Sequence, residues 1–200
     1  MTLLTRILGV AVLSVLIAGS QASADPYADA VNALSRHDFQ TAYDILLPFA
    51  EQGEARAQVA IAALLECDGC VSQENGLAAA MWWRRAADQG VADAQEKIGS
   101  FYFVGLYEYP KSSVDAARWF RLAAEQGYAK AQYALAVLYG TGDGVIQDYV
   151  VAHMWLNLAA AQGHEDAVRT LDQVTKLMTQ SQIEEAQRLA REWLQLHPQQ

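Results

Sequence analysis

The sequence predicts an all-α fold, a solenoid of helix–turn–helix repeats closed by a C-terminal capping helix. Three observations carry that expectation. The stretch RRAADQGVADAQ (Arg84 to Gln95) has near-copies at Leu47 to Gln58, Arg121 to Gln132 and Asn157 to Val168. Its glycine stands at 53, 90, 127 and 163, a spacing of 37, 37 and 36 residues, and self-similarity at such a period marks a repeat architecture. Other registers keep step with that glycine. Alanine stands eleven residues before it (Ala42, Ala79, Ala116, Ala152) and three before it (Ala50, Ala87, Ala124, Ala160). A large apolar residue stands eight before it (Ile45, Trp82, Trp119, Trp155). After the glycine, alanine recurs at 57, 94, 131 and 167, and a branched aliphatic at 61, 98, 135 and 171.

In chain order, residues 1–24 read as a targeting segment. Arg6, the apolar run Ile7 to Ala18 and the small-residue site Ala22-Ser23-Ala24 have the pattern of a secretory signal peptide. The run is shorter than the roughly 20 residues a spanning helix needs, and Asp25 rather than a lipid-bearing cysteine follows the site. The expectation is an exported chain, periplasmic or secreted, with no stable membrane insertion after cleavage. Residues 25–53 read as a degenerate N-terminal repeat, with a short helix, a turn at His37-Asp38 and a second helix ending at the first corner glycine.

Residues 54–180 hold the repeats, each a pair of helices. Before the glycine, the small residues at one helical face let neighbouring helices approach, and the tryptophan register is expected to fill the space above them. Trp83, turned about 100° from Trp82, is expected to be the more exposed. The glycine stops the first helix because it adopts the left-handed conformation without steric cost. A second helix follows, such as the one predicted over Ala129 to Tyr139. The longer connections CDGCVSQENG, VGLYEYPKSS and GTGDGVIQD read as loops between antiparallel helices. Residues 181–197 read as the capping helix. Ser181 and Glu184 have capping-box spacing, and Ile183, Ala186, Leu189, Ala190, Trp193 and Leu194 give one apolar face to cover the last repeat.

Charge and motif content exclude several functions. The formal net charge is −9 at pH 7 with no basic stripe, so nucleic acid is a poor partner. GTGDGVIQD lacks the lysine of a phosphate loop and the acidic ladder of a calcium loop. Cys67 and Cys70 are the only cysteines. In an exported chain such a pair is expected to close a disulfide, whereas the neighbouring Glu66 and Asp68 disfavour a reactive thiolate. His37, His153, His164 and His197 show no metal-ligand spacing. The chain holds no S-x-x-K acyl-transfer motif and no marked pair of acid–base carboxylates. No cofactor, metal or catalytic residue is expected, and the protein is not expected to be an enzyme.

The pattern A-x-x-x-L/I, an aromatic or leucine, a glycine-rich loop, A-x-x-W and A-A-x-x-G resembles the Sel1-like repeat, a subfamily of the tetratricopeptide-like helical repeats. The copy with the most complete pattern is AKAQYALAVLYGTGDGVIQDYVVAHMWLNLAAAQG (Ala129 to Gly163). The resemblance covers about Gln40 to Val174. Two loops depart from it, one holding the cysteine pair and one holding Tyr107-Glu108-Tyr109-Pro110. What it implies is a right-handed α/α superhelix whose concave groove is lined by the first helix of each repeat unit, the helix of the Ala129 to Tyr139 type, and a role as an adaptor for other proteins. On a helical wheel that groove face carries Arg56 and Val59, then Glu96, Ser100 and Phe103, then Lys130, Tyr133 and Val137. These are the expected partner-binding residues, the partner being a protein or peptide, and a second copy of the chain would fit the same strip. The alternative is an envelope-associated enzyme or glycan-binding module acting on cell-wall fragments, which would need a deep pocket with clustered carboxylates or histidines.

Overall fold

A computed structural model describes residues 25–67 and 73–198. Both the signal-like segment 1–24 and Cys70 lie outside the described residues. All regular structure among the described residues is helical: α1 (Pro26–Ser35), α2 (Phe39–Glu51), α3 (Ala55–Glu66), α4 (Gln73–Asp88), α5 (Ala92–Val104), α6 (Ser113–Glu125), α7 (Ala129–Thr141), α8 (Tyr149–Ala161), α9 (Glu165–Thr175) and α10 (Gln180–Leu196). The chain forms two compact units that divide between Ala94 and Gln95, within α5. In the first, α1 packs on α2, α2 on α3 and α3 on α4. In the second, α6 packs on α7, α7 on α8, and α8 on both α9 and α10. Within each unit these helices pack on their neighbours in sequence, the packing of a helical-repeat solenoid, and α10 returns to cover α8.

The corners are alike because their hydrogen bonds are alike. At Gly127 the glycine N–H donates to the Ala124 carbonyl (2.9 Å) and the next N–H, of Tyr128, donates to that of Ala123 (3.1 Å). The same two bonds recur around Gly53, Gly90 and Gly163. This is the Schellman ending, which satisfies the last carbonyls of a helix and needs positive φ at the glycine. The observed φ at Gly90 is 89°. Helices on the other side of the long loops start from side-chain caps: the Ser112 hydroxyl accepts from the Asp115 N–H (3.2 Å), and the Asp148 carboxylate from those of Val150 and Val151 (2.9 and 3.1 Å).

Two expectations are corrected here. The capping box of α10 is formed by Thr179 and Gln182, not by Ser181 and Glu184: the Gln182 N–H donates to Thr179 Oγ1 (3.3 Å) and the Thr179 N–H to Gln182 Oε1 (2.9 Å). Thr179 can take the extended backbone of a cap (φ −76°, ψ 159°), while Ser181 already lies in the helix. The second correction concerns the tryptophans. Trp83 is the buried one at 2% exposure, and Trp82 and Trp119 are half-buried. The deepest register of the pre-glycine helix lies seven residues before the glycine, at Leu46, Trp83, Phe120 and Leu156, all buried. A one-residue shift turns a helix by 100°, enough to exchange core for flank. Trp82 lies beneath the Arg85 guanidinium, 4.5 Å from its ring centre.

Candidate interaction surface

The groove residues read from the sequence do not form one exposed strip. Val59 is 4% exposed and belongs to the core, which corrects its assignment to a binding surface. It sits between Gln58 and Ala60, both buried, because α3 is apolar over most of its circumference (AQVAIAALL) and is covered on more than one side. Arg56 stands over the Tyr27 ring at 4.2 Å, and the Tyr27 hydroxyl donates to Glu54 at 2.5 Å. Burial is the first cause that pushes the Tyr27 phenol well above its usual range, followed by the hydrogen bond to Glu54. This arrangement ties α1 to the start of α3 and leaves Arg56 a packing role. Cys67 is buried at the end of α3, and its pairing with Cys70 lies outside the described residues.

In the second unit more of the expected surface is available. Glu96, Ser100 and Phe103 follow one face of α5; the Ser100 hydroxyl donates to Glu96 (2.8 Å), and Phe103 is 37% exposed. On α7, Lys130 is exposed, Val137 is half-buried, and Tyr133 is half-buried with its ring stacked on His164 at 4.8 Å. His164 also caps α9, its Nδ1 accepting from the Ala167 N–H (3.3 Å). Tyr133 is therefore engaged by its own fold.

The apolar surface the sequence reading passed over lies at the loop end of this unit. Val104, Leu106 and Val114 are exposed, and Ile146 is 90% exposed. Three close approaches gather them. Gly105 backs onto Lys111, the Ser112 N–H donates to the Tyr102 carbonyl (2.8 Å), and Gly144 lies against the backbone of Ser113 and Val114. The loop 105–112 is fixed by rings: Phe101 meets Tyr107 edge-on at 5.0 Å, and Tyr102 meets Tyr109 edge-on at 4.9 Å. That packing holds Tyr107 and Glu108 at φ 51° and 67°, a left-handed conformation that costs about 1–2 kcal/mol per non-glycine residue. The loop whose sequence departs from the repeat is thus a shaped feature that presents Leu106.

Among the described residues, no group of three or more His, Cys, Asp or Glu is placed to hold a metal, and no helix is long and apolar enough to cross a membrane.

Successive helix pairs, Schellman corners and a 36–37-residue period define a helical-repeat protein of the α/α solenoid class. Three consecutive matches to the Sel1 repeat model, at residues 55–91, 92–128 and 129–164, follow those corners. The chain belongs to the Sel1 repeat family. Among solved structures it is similar to c5321, a protective antigen of uropathogenic Escherichia coli strains with an SLR fold, at 32% identity and TM-score 0.71, over 78% of this chain and 33% of that one. It thus spans a third of that protein's length. It is also similar to a Sel1 repeat protein from Oxalobacter formigenes, at 34% identity and TM-score 0.56, over 64% of this chain and 95% of that one. No curated protein matches the chain.

Proposed function

We propose that the protein is an exported, non-catalytic scaffold that holds a protein partner on the loop-end apolar edge of its second unit. Sel1 repeats generally mediate protein interactions. The observation that carries the reading is that edge: Val104, Leu106, Val114 and Ile146 uncovered together around a loop held in left-handed conformation. Contiguous exposed apolar groups mark interaction sites where scattered ones do not, and a rigid loop loses less entropy on binding. The test is capture from native extract with a Leu106→Asp/Ile146→Asp control. A protein retained by the wild type and lost by the folded control supports the reading; equal retention by both would overturn it.

Export to a periplasm-like compartment rests on the signal pattern of residues 1–24. The same compartment favours a Cys67–Cys70 disulfide. Protein isolated from its native host is expected to begin at Asp25, and its intact mass without reductant to be two hydrogens lighter than with it. An intact Met1 end, or two thiols that alkylate freely, would exclude these expectations.

A further inference from the structure

A cleft of about 700 Å3 in the second unit shares no residue with the loop-end edge. It is lined by Glu125, Gln126, Gly127, Leu158, Ala161, Gln162, and the end of α10 from Trp193 to Pro198. Three helices finish there: α6 at Glu125, α8 at Ala161 and α10 at Leu196. Each helix C-terminus carries roughly half a negative charge on its last carbonyls, and Glu125 adds a full one. It is the only residue of the lining with a formal charge at neutral pH.

The accessible polar groups of this wall are acceptors; its one unpartnered donor, the Trp193 Nε1–H, is buried. Gln162 Nε2 donates to Gln132 Oε1 (2.9 Å) and to the Leu158 carbonyl (3.3 Å). Both amide hydrogens are committed, so what Gln162 has to offer is Oε1. His197 Nδ1 lies 2.9 Å from the Trp193 carbonyl and must carry the hydrogen, which leaves Nε2 as the acceptor of the neutral ring. The Gly127 N–H is spent on Ala124. The rest of the wall is apolar: Leu158, Ala161, Leu194, Leu196, and the Trp193 indole with the His197 ring stacked on it at 4.3 Å.

We propose that this cleft is a second binding site, for a peptide segment that sets an arginine or lysine head against Glu125 and the converging helix ends, with apolar neighbours on the α10 wall. A guanidinium or ammonium supplies donors and positive charge and nothing else, the complement of a rim whose accessible polar groups are acceptors. An acidic or phosphorylated segment would meet repulsion from Glu125 and three negative helix ends.

The full chain is titrated with acetyl-Leu-Arg-Leu-amide, acetyl-Leu-Glu-Leu-amide and N,N′-diacetylchitobiose, each to millimolar concentration, following the Trp193 indole and His197 ring resonances. The basic peptide alone is expected to shift both. Its affinity should fall roughly three- to tenfold in Glu125→Gln and fall again with added salt. Glu125 is exposed, so this variant keeps the fold. Leu106→Asp/Ile146→Asp is expected to bind the peptide unchanged, so failure of the cleft and failure of the loop-end edge read out separately. Equal shifts with the acidic peptide, shifts with the sugar alone, an unchanged affinity in Glu125→Gln, or no shift at all would each overturn the proposal.

Discussion

Two left-handed glycines show how different demands sit behind one residue type. A Cβ on Gly90 would meet nothing within 4 Å, so Gly90→Ala costs only the backbone strain of φ 89°, about 1–2 kcal/mol. A Cβ on Gly144 would lie 2.3 Å from the Ser113 carbonyl carbon, and backbone cannot step aside as a side chain can. Gly144→Ala is therefore expected to cost about 3 kcal/mol or more, strain and overpacking together. Urea unfolding of the two variants tests the order; equal losses would mean that the 142–148 loop moves freely off α6. His153 sets a pH limit of a different kind. It is buried, its Nδ1 accepts from Asn157 Nδ2 at 2.9 Å, and desolvation holds its pKa below the ordinary value. The unfolded chain, with a histidine pKa near 6.5, then binds the proton at higher pH than the folded chain does. Stability should fall as pH drops through about 6.5 and below. Asp38 and Glu185, whose carboxyls are held low by hydrogen bonds from Thr41 and Arg188, lose their contributions only as pH falls further, through the ordinary carboxylate range. His153→Gln is expected to flatten the upper limb of that decline in urea midpoints; an unchanged slope would place its cause elsewhere.

At the scale of the helix pair, the corner phrase holds more than its glycine and alanines. The glutamine before each glycine and the one five after it join neighbouring corners: Gln89 Nε2 donates to Gln58 Oε1, Gln126 to Gln95, and Gln162 to Gln132, all at 2.8–2.9 Å. The later glutamine is buried and turns its own amide to the preceding helix, as Gln132 Nε2 does to the Ala124 carbonyl (3.2 Å). These residues stand in the repeated phrase, yet an apolar reading of periodicity passes over them because a buried amide carries no hydrophobic signal. Only the fold shows that they are paired. Gln162→Leu should cost about 1–3 kcal/mol, since it leaves Oε1 of the fully buried Gln132 without its partner. Gln132→Leu should cost less, because the amide it frees belongs to the exposed Gln162 and can turn to water, and the double variant less than the sum. Additive losses in a double-mutant cycle would show that the ladder contributes nothing as a unit. The one-residue error in the tryptophan register has a related origin. Trp82 and Trp83 are both apolar, so composition cannot say which of two adjacent residues faces inward; the alignment with Phe120 and Leu156 at the deeper register could have decided it.

For the whole molecule, the fold class was legible because a period repeated four times is a global signal carried by many residues. The interaction surface was not, because exposure on a solenoid depends on which helix covers which. Val59 was lost to the core, and Tyr133 was taken by His164. Leu106 and Ile146 lie in loops whose path no helical wheel describes. The same dependence governs the end of the chain. Trp155 occupies the register at which Trp82 and Trp119 are half-buried, yet it is 7% exposed because Trp193 of α10 meets it edge-on at 5.9 Å. Ala186 and Ala190, buried on the same helix, let α10 approach α8 closely. A repeat array gains stability from each nearest-neighbour interface and needs a covered last face for solubility. Ending the chain at Met178 removes that cover while leaving the first unit's own core intact. Unfolding should then separate into two transitions, the earlier belonging to the second unit. The bared face of α8 should drive concentration-dependent association in sedimentation velocity. Trp193→Ala, which keeps the helix, should associate no more than the full-length chain and lose about 2–3 kcal/mol, below the cost of deleting a fully buried tryptophan. A truncated chain that stays monomeric and melts in one transition at the full-length midpoint would show that α10 is an appendage and not the cap.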